Sequence, residues 1–450
     1  MGRGGLASPR RARGRPIAPS SRWWCLALLT ALIVGFPALA SAISRPPSPV
    51  IFVHGIASDS STWDPLSAGL TSNGWVLGGH PVFDPATAAV SGVLPGDFYT
   101  MNFSDATQVP FKSQSLGVDQ RGYELAAIIL AVLNANPGAT QVILVAHSMG
   151  GLAARDYLEG LARPSAAVGP IPYRGDVAQL IVIGTPSLGS PLALFCQTLP
   201  QACLAIAIDP SSNALMELVP GSPSLTSLND FAANPLPLAV RYESIAGLGG
   251  VGPAGDGDGV VPRASEEFLA TVPGLSHILD DLVIPLRADC GHAIGAIFVE
   301  VHTCEPGDSG VGTAIVDTIL NPRLGLSLNR ATATVGDTLT VTLTSQPGLP
   351  EAENIGDLYI GVFVPGGAVY LLTPTGLVLA FDGVNPVPGG LQAFRVDTEL
   401  TSSSEVVLSA TAVSPIPDGP YTFFAVLVRT GTTPADQGNW LSNAAEATMT

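Results

Sequence analysis

The chain has 450 residues, 46% of them hydrophobic and only 12% charged, enough to bury a large core and to divide into two or three domains. Its formal charge is −17 and Lys112 is its only lysine, which excludes a basic nucleic-acid-binding surface and disfavours anionic membranes. With 50 glycines and 40 prolines, loops and turns are expected to be frequent.

Residues 1–42 read as a secretory signal. Six arginines, Arg3 to Arg22, have no acidic residue among them. An apolar stretch follows from Trp23 to Leu39, and Ala38, Ala40 and Ala42 offer small-residue cleavage sites. Cleavage after Ala42 would take the charge to −17 − 6 = −23. An uncleaved membrane anchor is the rival reading. The expected destination is outside the cell or in the periplasm. Four cysteines remain: Cys196, Cys203, Cys290 and Cys304. An even count in an exported chain implies two disulfides. Sequence permits three pairings, and the local one, Cys196–Cys203 with Cys290–Cys304, is the expectation. The spacings do not resemble zinc ligands.

The predicted elements then alternate. Val50 to Val53 is a short buried strand, followed by His54-Gly55-Ile56. Residues 96–103 read as a second strand. Residues 119–133 place Leu125, Ile128, Ile129 and Val132 at helical period, and Asn136-Pro137-Gly138 stops that helix. Val142 to Val145 is a β-branched run that ends near Ser148, with Ala146 and Gly150 two positions either side. Helical spacing resumes from Leu152 to Leu158. Gln179 to Ile183 and Arg241 to Ala246 are further strands. Such alternation implies a parallel sheet with both faces covered, over residues 43–321. Residues 188–238 intervene between two strands, either as a lid over a site or as core helices stapled by Cys196 and Cys203. From Leu324 the pattern changes to β alternation. Thr338 to Leu343, Leu358 to Val364, Ala368 to Leu372, Val406 to Ala410 and Tyr421 to Val428 read as strands. Residues 322–450 are therefore expected to form an all-β sandwich, immunoglobulin-like in type.

Strand, sharp turn and helix around Ser148 form the context of a nucleophile elbow. The turn strains the serine backbone, and its small neighbours let strand and helix approach. In this it resembles the serine hydrolases of the α/β-hydrolase fold, with Ala146 where the first glycine usually stands. The stretches "VIFVHGIASDSSTWDPLSAGLTSNGW" and "VAHSMGGLAAR" resemble bacterial lipases. The block "FKSQSLGVDQRGYELAAIILAVL" is similar to the GPI inositol-deacylase-like branch. The likeness covers about residues 48–320 and not the C-terminal domain.

That resemblance implies the chain order serine, acid, histidine. The acid falls in Gly255-Asp256-Gly257-Asp258-Gly259-Val260-Val261-Pro262. Asp258 matches the lipase-type Asp-Gly-x-Val-Pro turn and is chosen over Asp256, with a Ca²⁺ loop as the alternative. For the base, His302 follows an apolar β-like run, Ala296 to Val301, and precedes a predicted helix, Val311 to Leu320; the resemblance implies this order, with the run as the last strand of the sheet. His292 is the alternative base, and His277 reads as a surface or core histidine. The backbone N–H groups of Ile56 and Met149 are the expected oxyanion hole. His54 and His147 are expected to orient loops. No cofactor and no metal is needed for this chemistry.

The function implied is a secreted lipase or esterase cleaving lipid-like esters through an acyl-enzyme. A polyester depolymerase or amidase with the same triad is the alternative within the fold. A non-catalytic surface-binding protein is the alternative outside it. Ester substrates are the expected partners, nucleic acid is not, and the C-terminal β domain could contact a polymer or cell surface.

Overall fold

Six parallel strands build the central sheet of the computed structural model, in the order β2-β1-β3-β4-β5-β6. They are β1 (Val50–Val53), β2 (Phe98–Thr100), β3 (Val142–His147), β4 (Val177–Ile183), β5 (Arg241–Leu248) and β6 (His277–Val283). The structure describes residues 45–252, 254–272, 275, 277–294, 298–348, 354–412 and 417–450. The expected signal, residues 1–42, lies outside them.

Strands β1 and β3 are buried along their whole length, as continuous apolar runs must be when helices cover both sheet faces. Helix α1 (Asp64–Ser72) follows β1, and α2 (Val118–Ala135) and α3 (Met149–Leu158) flank β3. The predicted stripe Leu125, Ile128, Ile129 and Val132 is fully buried and joins Leu144, Ala146 and Val182 of the sheet in one core. Residues 188–238 fold into four short helices, α4 (Pro191–Thr198), α5 (Pro200–Leu204), α6 (Asn213–Glu217) and α7 (Pro223–Leu228). Helix α8 (Ser309–Leu320) closes the α/β part.

One sequence expectation needs correction. The run before His302 was expected to be the last strand of the sheet. Its described part, β8 (Phe298–Glu300), instead pairs antiparallel with β7 (His292–Ile294), outside that sheet. The edge position belongs to β6, whose sequence, His-Ile-Leu-Asp-Asp-Leu-Val, has no clean apolar signal. An edge strand tolerates such charges because one side of it is solvated.

The C-terminal part has two antiparallel sheets. One contains β9 (Arg323–Leu328), β10 (Thr338–Gln346) and β15 (Ser403–Thr411). The other runs β13-β12-β11-β16-β17, with β14 also paired to β11; these are β11 (Ile355–Phe363), β12 (Val369–Thr373), β13 (Gly376–Phe381), β14 (Arg395–Glu399), β16 (Tyr421–Val428) and β17 (Ala445–Met449). Leu324 and Leu343 of the first sheet pack with Leu358, Ile360, Leu372 and Leu427 of the second, which makes a β-sandwich. The two parts are joined by polar contacts. Gln346 Nε2 donates to the Tyr242 carbonyl at 2.6 Å, Arg241 donates to the Pro347 carbonyl, and Arg323 pairs with Asp280. Both expected disulfides are present, Cys196–Cys203 and Cys290–Cys304.

Candidate active site

The turn from β3 into α3 puts Ser148 at φ 56°, ψ −131°, a conformation that L residues rarely adopt. The bend is held from outside: the Ser148 N–H donates to the Ile183 carbonyl at 2.8 Å. Crowding explains the neighbouring small residues. A Cβ on Gly55 would lie 2.6 Å from the Ser148 Cβ, so only glycine lets the β1 loop pass so close to the elbow. A Cβ on Gly150 would lie 2.7 Å from the His54 carbonyl oxygen.

Two later segments meet this serine. His302 begins a short 3₁₀ turn, His302–Gly307, and its Nε2 lies 2.8 Å from Ser148 Oγ. Its Nδ1–H donates to Asp258 Oδ2, which leaves Nε2 as the acceptor for the serine proton. Asp258 is fully buried in the loop after β5, and its Oδ1 accepts from the backbone N–H groups of Val260 and Val261, each at 2.7 Å. Burial lowers the His302 pKa and the Asp258 charge raises it; the net shift is upward.

The structure thus brings Ser148, Asp258 and His302 together. Asp256 sits exposed in the same loop. His292 bonds to Glu300 and not to this series. His277 is buried on β6 against the Ser244 hydroxyl at 2.9 Å, and burial lowers its pKa to about 3. Met149 is the first residue of α3, where an N–H has no partner within the helix, and Ile56 lines the cavity over Ser148. The orienting histidines are both packed inside. His54 Nδ1–H donates to the Gly55 carbonyl at 2.9 Å, and burial pushes its pKa down to about 4. His147 Nε2–H donates to the His302 carbonyl at 3.1 Å, and burial holds its ring neutral.

Sequence reading missed Glu305. It is fully buried, with Oε2 3.2 Å from His147 Nε2 and 3.6 Å from His302 Nδ1. A Cβ on Gly247 would come within 1.8 Å of Glu305 Oε1, so the bare backbone of β5 makes room for this carboxyl. Glu266 is buried beside it and accepts from the Gly247 N–H at 2.7 Å. Burial, then the nearby Asp258 charge, pushes both glutamates well above the usual carboxylate range. Beside the Asp258 charge the two glutamates stay buried by keeping their protons. The available signal was His302-Thr-Cys-Glu305, a carboxyl three residues after the base.

A cavity of about 280 Å³ opens over Ser148 and His302. Leu192, Ala193, Ile206, Ile208, Leu215 and Leu218 of the 188–238 segment line it, so this segment covers the site. The Cys196–Cys203 bridge is itself buried within an apolar cluster that includes Leu192, Ala193, Leu215 and Leu218.

Residues 47–199 match the PGAP1-like alpha/beta domain family. Among solved structures the chain is similar to a gene product of Listeria innocua, at 18% identity over 60% of this chain and 92% of that one, with a TM-score of 0.38. It is similar to the mature form of the lipase BlEst2 of Bacillus licheniformis, at 21% identity over 55% and 89%, with a TM-score of 0.34. It is also similar to lipase B of Aspergillus fumigatus, at 16% identity over 55% and 48%, with a TM-score of 0.33. No curated protein matches the chain. Sheet order, elbow geometry and the family match over residues 47–199 agree in giving the α/β part the α/β-hydrolase fold.

Proposed function

We propose that this protein is an exported serine hydrolase that cleaves carboxylic esters of lipid-like substrates through an acyl-enzyme on Ser148. The observation that carries the reading is the continuous hydrogen-bonded series from Asp258 through His302 to the strained Ser148. Ser148 Oγ attacks the ester carbonyl while His302 Nε2 takes its proton. Asp258 holds the ring in register and balances the imidazolium. The negative oxygen of the tetrahedral intermediate is received by the backbone N–H groups of Met149 and Ile56 at the positive end of α3. Collapse breaks the ester C–O bond, and the leaving alcohol departs with the proton from His302. Water then attacks the acyl-enzyme by the same route in reverse, which frees the acid and restores Ser148.

The apolar lining favours an acyl chain. Turnover of an ester and of an amide that share one acyl chain separates esterase from amidase chemistry. Export is supported by the arginine-rich leader with its apolar continuation and by two disulfides, which persist outside the reducing cytosol. The C-terminal sandwich is read as a brace on the sheet edge. Contact with a polymer or cell surface is its alternative role, tested by pull-down of the full chain on such surfaces.

A fluorophosphonate probe should label the wild-type protein and spare Ser148→Ala. Labelling that survives the substitution overturns the mechanism, and no labelling of wild type points to a non-catalytic surface protein. Turnover of esters of graded chain length then fixes the acyl preference.

A further inference from the structure

We infer that His292, held by Glu300 and Thr303, forms a subsite for the alcohol half of the substrate and selects esters whose leaving group carries a free hydroxyl near the ester oxygen. The inference rests on the esterase reading above and names the second half of its substrate.

The subsite begins with a buried carboxylate. Glu300, at 3% exposure, has both oxygens occupied. Oε1 accepts from His292 Nδ1 and, at 3.1 Å, from the Thr303 hydroxyl; Oε2 accepts from the Thr303 N–H at 3.1 Å. The Thr303 hydroxyl in turn accepts from the Gly291 N–H at 2.7 Å. The cross-strand pairing of His292 with Glu300 and the Cys290–Cys304 bridge fix the same short segment from both ends.

This arrangement determines what His292 presents. A carboxylate whose oxygens only accept requires the hydrogen on Nδ1. In its neutral form the ring therefore offers a bare Nε2, an acceptor for a hydroxyl donor. The side chain is 53% exposed, and it lines the same cavity as Ser148 and His302. A half-exposed imidazole could be satisfied by water alone. Committing a buried carboxylate to it costs desolvation and is compensated where the ring's orientation matters.

The rest of the cavity agrees with a two-part ligand. Its apolar lining comes mainly from Leu192, Ile208, Leu215, Leu218 and Val260, with the Ser190 hydroxyl among them, whereas Ser58, Thr62 and Thr303 add hydroxyls elsewhere in the lining, that of Thr303 already engaged by Glu300 and the Gly291 N–H. The first set suits an acyl chain. The second, with His292, suits a polyol such as glycerol carrying one acyl group. A bare alkyl alcohol would leave the Nε2 acceptor to water and gain no bond from it.

The test compares two esters that share one acyl chain, a 1-monoacylglycerol and the methyl ester. Wild type should show the higher kcat/KM on the monoacylglycerol. His292→Ala should lower the ratio between the two substrates by about tenfold, the value of one hydrogen bond. His292→Gln, whose amide oxygen can also accept, should recover part of the ratio. A general loss of folding or of Ser148 reactivity would scale both substrates and leave the ratio alone. The inference is overturned if wild type does not distinguish the esters, or if His292→Ala shifts the ratio by less than about twofold. Failure of the esterase reading looks different: no fluorophosphonate labelling of the wild type and no turnover of either ester.

Discussion

The α/β part and the C-terminal sandwich bury polar groups in opposite ways. Around the sheet, His54, Arg121, His147, Arg155, Glu243, Asp258, Glu266, His302 and Glu305 are all buried. In the sandwich the buried polar groups are mainly neutral, such as Ser345, Gln346, Asn354, Thr373 and Ser442. Its Asp357 is tied down by the Asp397 and Gly431 N–H groups, at 3.0 and 2.9 Å. Burying ionisable groups is expensive, and a sandwich core has no use for them. Five of them, His147, Asp258, Glu266, His302 and Glu305, cluster beside Ser148, where the fold gives up stability for chemistry. The strained elbow at Ser148 lies in the first region, held by the sheet around it. If the contrast is real, substitutions in the first region should change turnover far more than stability, and substitutions at the junction with the second should do the reverse.

The largest expected effect is that of Ser148→Ala, which should lower kcat/KM by roughly 10⁴- to 10⁶-fold with little change in melting temperature. A variant that keeps a tenth of the activity would remove the contrast altogether. Asp258→Asn comes next, at about 10⁴-fold, because an amide no longer fixes the His302 tautomer. The pH profile sharpens this. His302 must be neutral to accept the serine proton, and its pKa is raised above the ordinary imidazole value. The kcat/KM of the wild type should therefore climb with pH through a midpoint above that value. The residual activity of Asp258→Asn should show the midpoint moved to lower pH, since the carboxylate that raised it is gone. An unmoved midpoint would mean that another group sets it.

Glu305→Gln gives a smaller and differently signed effect. The folded-state pKa of Glu305 lies well above its unfolded value, so the native state holds that proton more tightly. The stability this contributes is full below the ordinary carboxylate range and is lost as pH rises through the raised value. A glutamine at this position stays neutral throughout. The variant should gain melting temperature relative to wild type as pH is raised, read by thermal scans across neutral and alkaline buffers. Parallel curves for the two proteins would mean that the carboxyl is already ionised where it sits.

Much of this division could be read from the residues themselves. The apolar runs at 50–53 and 142–145, the helical stripe through Ile128 and Val132, and the small residues flanking Ser148 all report local physics, and the fold obeys it. Asp258 and His302 were legible only through chain order, because what joins them is a contact across 44 positions. Strand β6 was hidden because Asp280 and Asp281 interrupt its apolar residues, and the arginines that pair with them, Arg323 and Arg263, are distant in sequence. Glu305 was hidden for a related reason: a lone glutamate says nothing of burial until Gly184 and Gly247 are seen to make way for it. Strands β14 and β17 of the sandwich carry alternation too short and too polar to stand apart from their loops, and β13, Gly-Leu-Val-Leu-Ala-Phe, is a short apolar run with no alternation at all.

The junction supplies the smallest effect and the most direct check on the sandwich's role. Gln346 closes β10, and its side chain reaches the Tyr242 carbonyl on β5 at 2.6 Å, inside the protein. Gln346→Ala leaves that carbonyl without this donor, a loss of about 1–2 kcal/mol. Neither residue touches the cavity over Ser148. The melting temperature should drop by a few degrees, while kcat/KM per folded molecule on a soluble ester stays at the wild-type value. A fall in turnover well below the unfolding transition would instead mean that the sandwich sets the position of β5, and through it the Asp258 loop, so that brace and active site could no longer be treated as separate.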